Sequence, residues 1–263
     1  MSSAKEKKPR SRLVILLLFI PLLAVVAWRL TPLPSYLFKL ANPPEKIAET
    51  ILADPIAANS IKQFSVSFPE EFDQMIAYVG KENKIGSAAE KQQKKALKFL
   101  GIWLTENSEK VMQAPAAELS NLADANLAYV SELKNSDISI CAKFTDIGFL
   151  PHLKLEEKAN LLSQDALNKA IVAAKAGTDQ PAGRQTKPSE DTMALFRAEL
   201  TKEGLSPRQQ EVLDKGVANV DRPISPVDIC TAGHATYSAI SRMPTEEKAN
   251  FMAFLFSRTF RFD

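Results

Sequence analysis

Only two cysteines, two histidines and nine glycines occur among 263 residues, and each shortage excludes something. A zinc site built from the usual four nitrogen and sulfur ligands would consume every cysteine and histidine in the chain. The two cysteines are far apart, so no C-x-x-C pair exists, and no H-E-x-x-H, G-x-S-x-G or glycine-rich phosphate loop is present. No Asn-Gly or Asp-Gly step marks a hairpin. The nearest approach to strand alternation, "KQFSVSF" at 62–68, is short. These absences leave an all-α body.

Excess charge is scarce too. The net charge is +2, and five basic residues (Lys5, Lys7, Lys8, Arg10, Arg12) against one acid, Glu6, lie in the first twelve positions. The rest of the chain is therefore slightly acidic, which argues against a nucleic-acid partner, since such a protein carries its basic patch on the folded part.

What the sequence does hold begins with "LVILLLFIPLLAVVAW", Leu13–Trp28, without a charge. As a helix these sixteen residues span about 24 Å, close to a ~30 Å hydrocarbon core once flanking side chains snorkel. The basic segment 1–12 then stays cytoplasmic, 13–28 is a transmembrane signal anchor, and the body crosses to the bacterial periplasm. The competing reading is a signal peptide cleaved near Ala27, which releases the same body into the periplasm. Residues 29–45, with four prolines, read as a membrane-proximal linker.

From Pro44 to Glu82 helical patterns recur. Phe72, Met75, Ile76 and Val79 share one face, and Gly80 and Gly86 mark the end. The pentapeptide EEKAN then appears twice, at 156–160 and 246–250. Such an identity arises by chance at roughly the per-cent level, but its context repeats as well. Both copies continue into two large apolar residues. Cys141 lies 15 residues before Glu156, and Cys230 lies 16 before Glu246. Each cysteine follows an isoleucine and stands five after a serine, Ser136 and Ser225, placed to cap a helix. Pro115 and Pro207 open earlier runs, preceded by apolar positions that correspond: Leu97 with Met193, Phe99 with Leu195, Leu100 with Phe196, Leu104 with Leu200. The sequence thus predicts two related four-helix units. A helical region 46–176 contains the first (about 90–176), with helices near 90–112, 115–134, 136–149 and 155–176. A linker, 177–190, leads to the second, 191–263, with helices near 190–203, 207–219, 226–242 and 245–260.

A pseudo-twofold relation brings equivalent residues together, and an even cysteine count in an oxidising compartment points to a Cys141–Cys230 disulfide. The alternatives are two buried thiols or a catalytic thiol. His234, four residues after Cys230, shares its helix face, but two ligands do not make a metal site. His152 follows Pro151 in a turn. The pairs Glu156-Glu157 and Glu246-Glu247 fit the first turn of a helix, where carboxylates complement the dipole, better than a two-carboxylate site. Lys91, Lys94, Lys95 and Lys98 form a stripe that is a solvated face or a contact for anionic headgroups. The C-terminal stretch holds Phe251, Phe254, Phe256, Phe260 and Phe262, aromatics dense enough to fill a core.

No catalytic, cofactor or metal constellation emerges. The expectation is a module that binds a protein partner in the envelope, anchored through Leu13–Trp28 and without chemistry of its own. The alternatives are a periplasmic hydrolase-like enzyme with its site in the groove between the units, or a binder of lipid or another apolar ligand between helices.

Overall fold

The computed structural model describes residues 43–53, 58–82, 89–148, 155–185, 187–220 and 223–259. The anchor Leu13–Trp28, His152, Gly86, Phe260 and Phe262 lie outside them. Among the described residues there is no strand, and no helix is long and apolar enough to cross a membrane.

Twelve α-helices are described. They are α1 Pro44–Leu52, α2 Ala58–Ser67, α3 Pro69–Glu82, α4 Ala89–Glu106, α5 Ser108–Met112 and α6 Ala116–Ser136. Then come α7 Ile138–Ile147, α8 Glu157–Asp179, α9 Glu190–Thr201, α10 Pro207–Lys215, α11 Pro226–Ser241 and α12 Thr245–Thr259, with a 3-10 turn at Val217–Asn219. The strand-like "KQFSVSF" is helical: Ile61 and Phe64 are buried inside α2, while Val66 points to solvent. Gly80 does not end its helix. It lies inside α3, where an added Cβ would stand 3.2 Å from Ile47 Cδ1, so the missing side chain lets α1 approach.

Local chemistry sets most boundaries. Ser206 caps α10 in a full capping box with Gln209, and Pro207 takes the first helical position. Ser225 accepts from Asp228 N and caps α11. The other cap departs from the sequence reading. Ser136 is the last residue of α6 and donates to Glu132 O, while Asp137 accepts from Ser139 N and Ile140 N to start α7. Two candidate caps stood side by side, and the carboxylate took the role.

α6 is the central helix. Leu119, Leu122, Ala123, Asn126, Tyr129, Val130 and Leu133, at 3.6-residue spacing, form its buried face. The helices α8, α12 and α11 all pack on it, and α7 packs across α11. One large core joins α1–α6, α8, α11 and α12, and a smaller one surrounds the cysteines. The helix expected over 90–112 is divided at Asn107 into α4 and α5, so the first segment has five helices and the second four; α6–α8 and α10–α12 follow the same order but pack differently. α8 lies against α6 in its own segment, and α12 lies against α5 and α6 rather than joining α10 in the same way.

The link between the segments also differs from the expected 177–190. α8 continues to Asp179, with Gly177 buried. The chain that follows is mostly exposed but held down. Gln113 reads the Arg184 backbone on both sides, donating to its carbonyl at 3.0 Å and accepting from its N–H at 2.9 Å, and Ala182 N donates to Gln113 O.

Candidate functional site

Both EEKAN helices dock on α6, and this shared seat defines the centre of the molecule. In α8, Ala159 is buried and Lys158 pairs with Glu132 at 2.5 Å. In α12, Ala249 is buried and Lys248 reaches Asp124 at 3.1 Å. Glu132 and Asp124 are both on α6, two turns apart. The repeated Lys-Ala therefore has one physical job twice: a small residue lets the backbone approach α6, and the neighbouring lysine reaches past it to an acid. The second copy uses more of the motif. Glu246 and Asn250, one turn apart, both accept from the Arg184 guanidinium at 3.0 and 2.5 Å, and Arg184 Nε donates to Ala114 O. The Arg184 side chain is only 5% exposed, so the connecting segment is fastened through the second copy.

The acidic pairs sit where the dipole argument places them: Glu156 is the N-cap of α8 with Glu157 in the first turn, and Glu246 and Glu247 lie in the first turn of α12. The lysine stripe is the outer face of α4, with Lys91, Lys94 and Lys98 exposed and Lys94 paired to Glu90.

Between α8 and α12, above α6, lies a cavity of ≈ 50 Å³. Its walls are mainly apolar, from Leu104, Leu122, Phe144, Ala166, Leu167, Ala170, Met252, Leu255 and Phe256. Four polar side chains reach it: Asn126, Tyr129, Ser163 and Tyr237. Burial pushes the phenols of Tyr129 and Tyr237 up to about 12, partly offset at Tyr129 by the Ser163 hydroxyl. Both are neutral at any physiological pH. A second hollow of ≈ 240 Å³ opens between α9 and α10, lined by Arg197, Thr201, Gln210 and Asp214 among others.

Beside the cavity, α7 and α11 cross closely. Cys141 and Cys230, both fully buried, stand at disulfide distance with Cα atoms 5.2 Å apart. Close approach is secured one turn further on by Gly233, where an added Cβ would come within 2.8 Å of Thr145 Cβ. Cys230 faces Cys141 at that distance. His234 instead contacts Ser131 Oγ through Nε2 at 3.1 Å. Its imidazole titrates below the ordinary 6.5, first because it is half-buried and then because Lys134 is near, with Glu203 opposing. Among the described residues no cluster of three or more His, Cys, Asp or Glu is placed to hold a metal.

A network of charges ties α9 to α11. Arg242 Nε donates to Glu199 at 3.0 Å, its Nη1 pairs with Glu203 at 2.7 Å, and Lys202 also donates to Glu199. Lys202 and Arg242 hold the Glu199 carboxyl below the usual range, and Lys215 does the same to Glu211.

Sequence reasoning found the cysteines and the repeated motif. It missed Arg184, whose partners are 62 to 71 residues away in the chain, and the polar lining of the cavity. Asn126 was visible only as a polar break in the apolar face of α6. The fold and its central seat define an all-helical body with two cysteines at disulfide distance. No known family model, curated protein or solved structure matches the chain.

Proposed function

We propose that the protein is a single-pass, membrane-anchored extracytoplasmic module that acts by binding a protein partner in the bacterial envelope. The observation that supports this most is the Cys141–Cys230 pair, buried and at bonding distance across the α7–α11 crossing. Disulfides persist outside the reducing cytosol. The charge-free run Leu13–Trp28 behind a basic start supplies the route of export and the anchor. Two related helical units, 90–176 and 191–263, are the finer reading of the body. It is supported by the common helix order and by the Lys-Ala seat on α6 used by both copies. Homologous sequences aligned over both segments should converge in the two motifs; independent patterns would reject a common origin.

The test of location is a C-terminal reporter active only outside the cytoplasm, combined with fractionation. Activity with full-length protein in the membrane pellet is expected. A soluble product beginning near Trp28 overturns the anchor and keeps export, and a silent reporter overturns both. Co-purification from solubilised membranes should then return a stoichiometric protein partner.

A second reading, an apolar-ligand binder, is favoured by the cavity between the repeated helices, three of whose walls come from Met252, Leu255 and Phe256 of the Phe-rich α12.

A further inference from the structure

Four polar side chains of the described residues reach the central cavity, and two of them, Asn126 and Tyr237, come from α6 and α11, which pack against each other. Asn126, 8% exposed, and the half-buried Tyr237 both line the cavity, and neither side chain has a hydrogen-bond partner among the described residues. The polar atoms of Asn126 and Tyr237 are not sealed off inside the wall, so they can receive a hydrogen-bonding group that enters the cavity. Two such groups from different helices, α6 and α11, converge on one apolar space. Among the described residues lining it there is no charged side chain, so an ion placed there would lack compensation from them. A volume of ≈ 50 Å³ is room for about three to five non-hydrogen atoms, at roughly 10–15 Å³ of such space per water-sized group.

We propose that this cavity binds a small neutral molecule with a short apolar body and one hydroxyl group, the body packed against Leu122, Leu167 and Met252 and the hydroxyl held by Asn126 and Tyr237. The inference rests on the apolar-ligand reading and sharpens it, by naming the polar group and the residues that receive it. Asn126 both donates and accepts, so it serves a hydroxyl in either sense, and Tyr237 adds a donor or an acceptor. The ligand is held by few atoms, and binding in the millimolar range is expected.

Met252 gives the test its reporter. The chain has six methionines, of which Met252 lines the cavity, whereas Met75 and Met112 do not. The full-length protein with ¹³C-labelled methionine methyls is titrated with n-butanol and, separately, with n-butane. A saturable shift of Met252 with butanol, Met75 and Met112 staying in place, is the expected result. Butanol should bind at least five-fold more tightly than butane, and Asn126→Leu should abolish that preference while leaving the methyl spectrum otherwise unchanged. Equal binding of both probes to the unmodified protein overturns the hydroxyl assignment and leaves the apolar-ligand reading standing. No saturable movement of Met252 with either probe overturns both. If Asn126→Leu does not fold, the comparison of the two probes on the unmodified protein decides alone.

Discussion

His234 shows how one side chain acquires a pH dependence from its surroundings. Half-burial and Lys134 favour the neutral imidazole in the folded state, whereas in the unfolded chain the residue titrates near 6.5. Between the two values the unfolded state binds more protons, so stability rises with pH there. The contribution is fully present above about pH 6.5 and is lost as the pH falls through the lower, folded value. Urea midpoints measured from pH 5 to 8 should therefore decline toward acid, and His234→Gln should flatten that decline. An unchanged slope in the variant would assign the effect elsewhere. The phenols run the opposite way: Tyr129 and Tyr237, pushed up to about 12, stabilise the fold below pH 10 and cease to do so as pH rises toward 12. Ultraviolet titration should show two of the four tyrosines resisting ionisation until near pH 12 or until the protein unfolds.

At the level of helices, two small residues set how closely elements cross. An added Cβ at Gly177 of α8 would run into Lys110 O of α5 and lie 2.9 Å from Ala114 N and 3.0 Å from Gln113 C, main-chain atoms that cannot swing aside. Gly177→Ala should cost about 1–3 kcal/mol by overpacking, measured by denaturant unfolding, and should loosen the Arg184 clamp that Gln113 supports. The two motif lysines offer a matched comparison. The Lys158 side chain is 75% exposed and that of Lys248 is 9% exposed. Lys158→Ala should change stability by under about 0.5 kcal/mol, as for a surface pair. Lys248→Ala, which also removes a buried stem, should cost about 1–2 kcal/mol. Equal effects would mean that the seat on α6 is held by Ala159 and Ala249 alone. The helices themselves were largely legible in the sequence, because proline, serine caps and 3.6-residue spacing act locally: α9 to α12 begin at the residues those signals mark. The start of α7 was off by one capping residue, since Ser136 and Asp137 both fit. The end of α8 was missed because Gly177 resembles a helix terminator and is instead a contact with α5. What was not legible depends on distant partners: the fastening of Arg184, the common seat on α6, and a cavity lined by six helices.

For the molecule as a whole, the cysteines decide the most, because they join the fold to its compartment. Cys141 and Cys230 are 89 positions apart, and their pairing was inferred from the repeat before any geometry. α7 holds one and α11 the other, each in an early turn of a capped helix, and Gly233 brings the two helices close enough for the sulfurs to meet. Closing a loop of this size restricts the unfolded chain, an effect worth at most about 4–5 kcal/mol in the entropy model. Replacing both cysteines by serine should therefore lower stability by a few kcal/mol, a figure that includes placing two hydroxyls in a fully buried site. Because neither sulfur is exposed, alkylating reagents should label nothing in the native protein. After unfolding without reductant the bonded chain still offers no thiol, and after unfolding with reductant it offers two. Two thiols titrating in the unfolded, unreduced protein isolated from its native cells would rule the bond out and remove the main support for the proposed extracytoplasmic body. The α7–α11 crossing would remain, held by Gly233 and the aromatic contact of Phe144 with Tyr237. The two results separate the architecture from the location, since close packing of the helices is needed for the disulfide but does not depend on it.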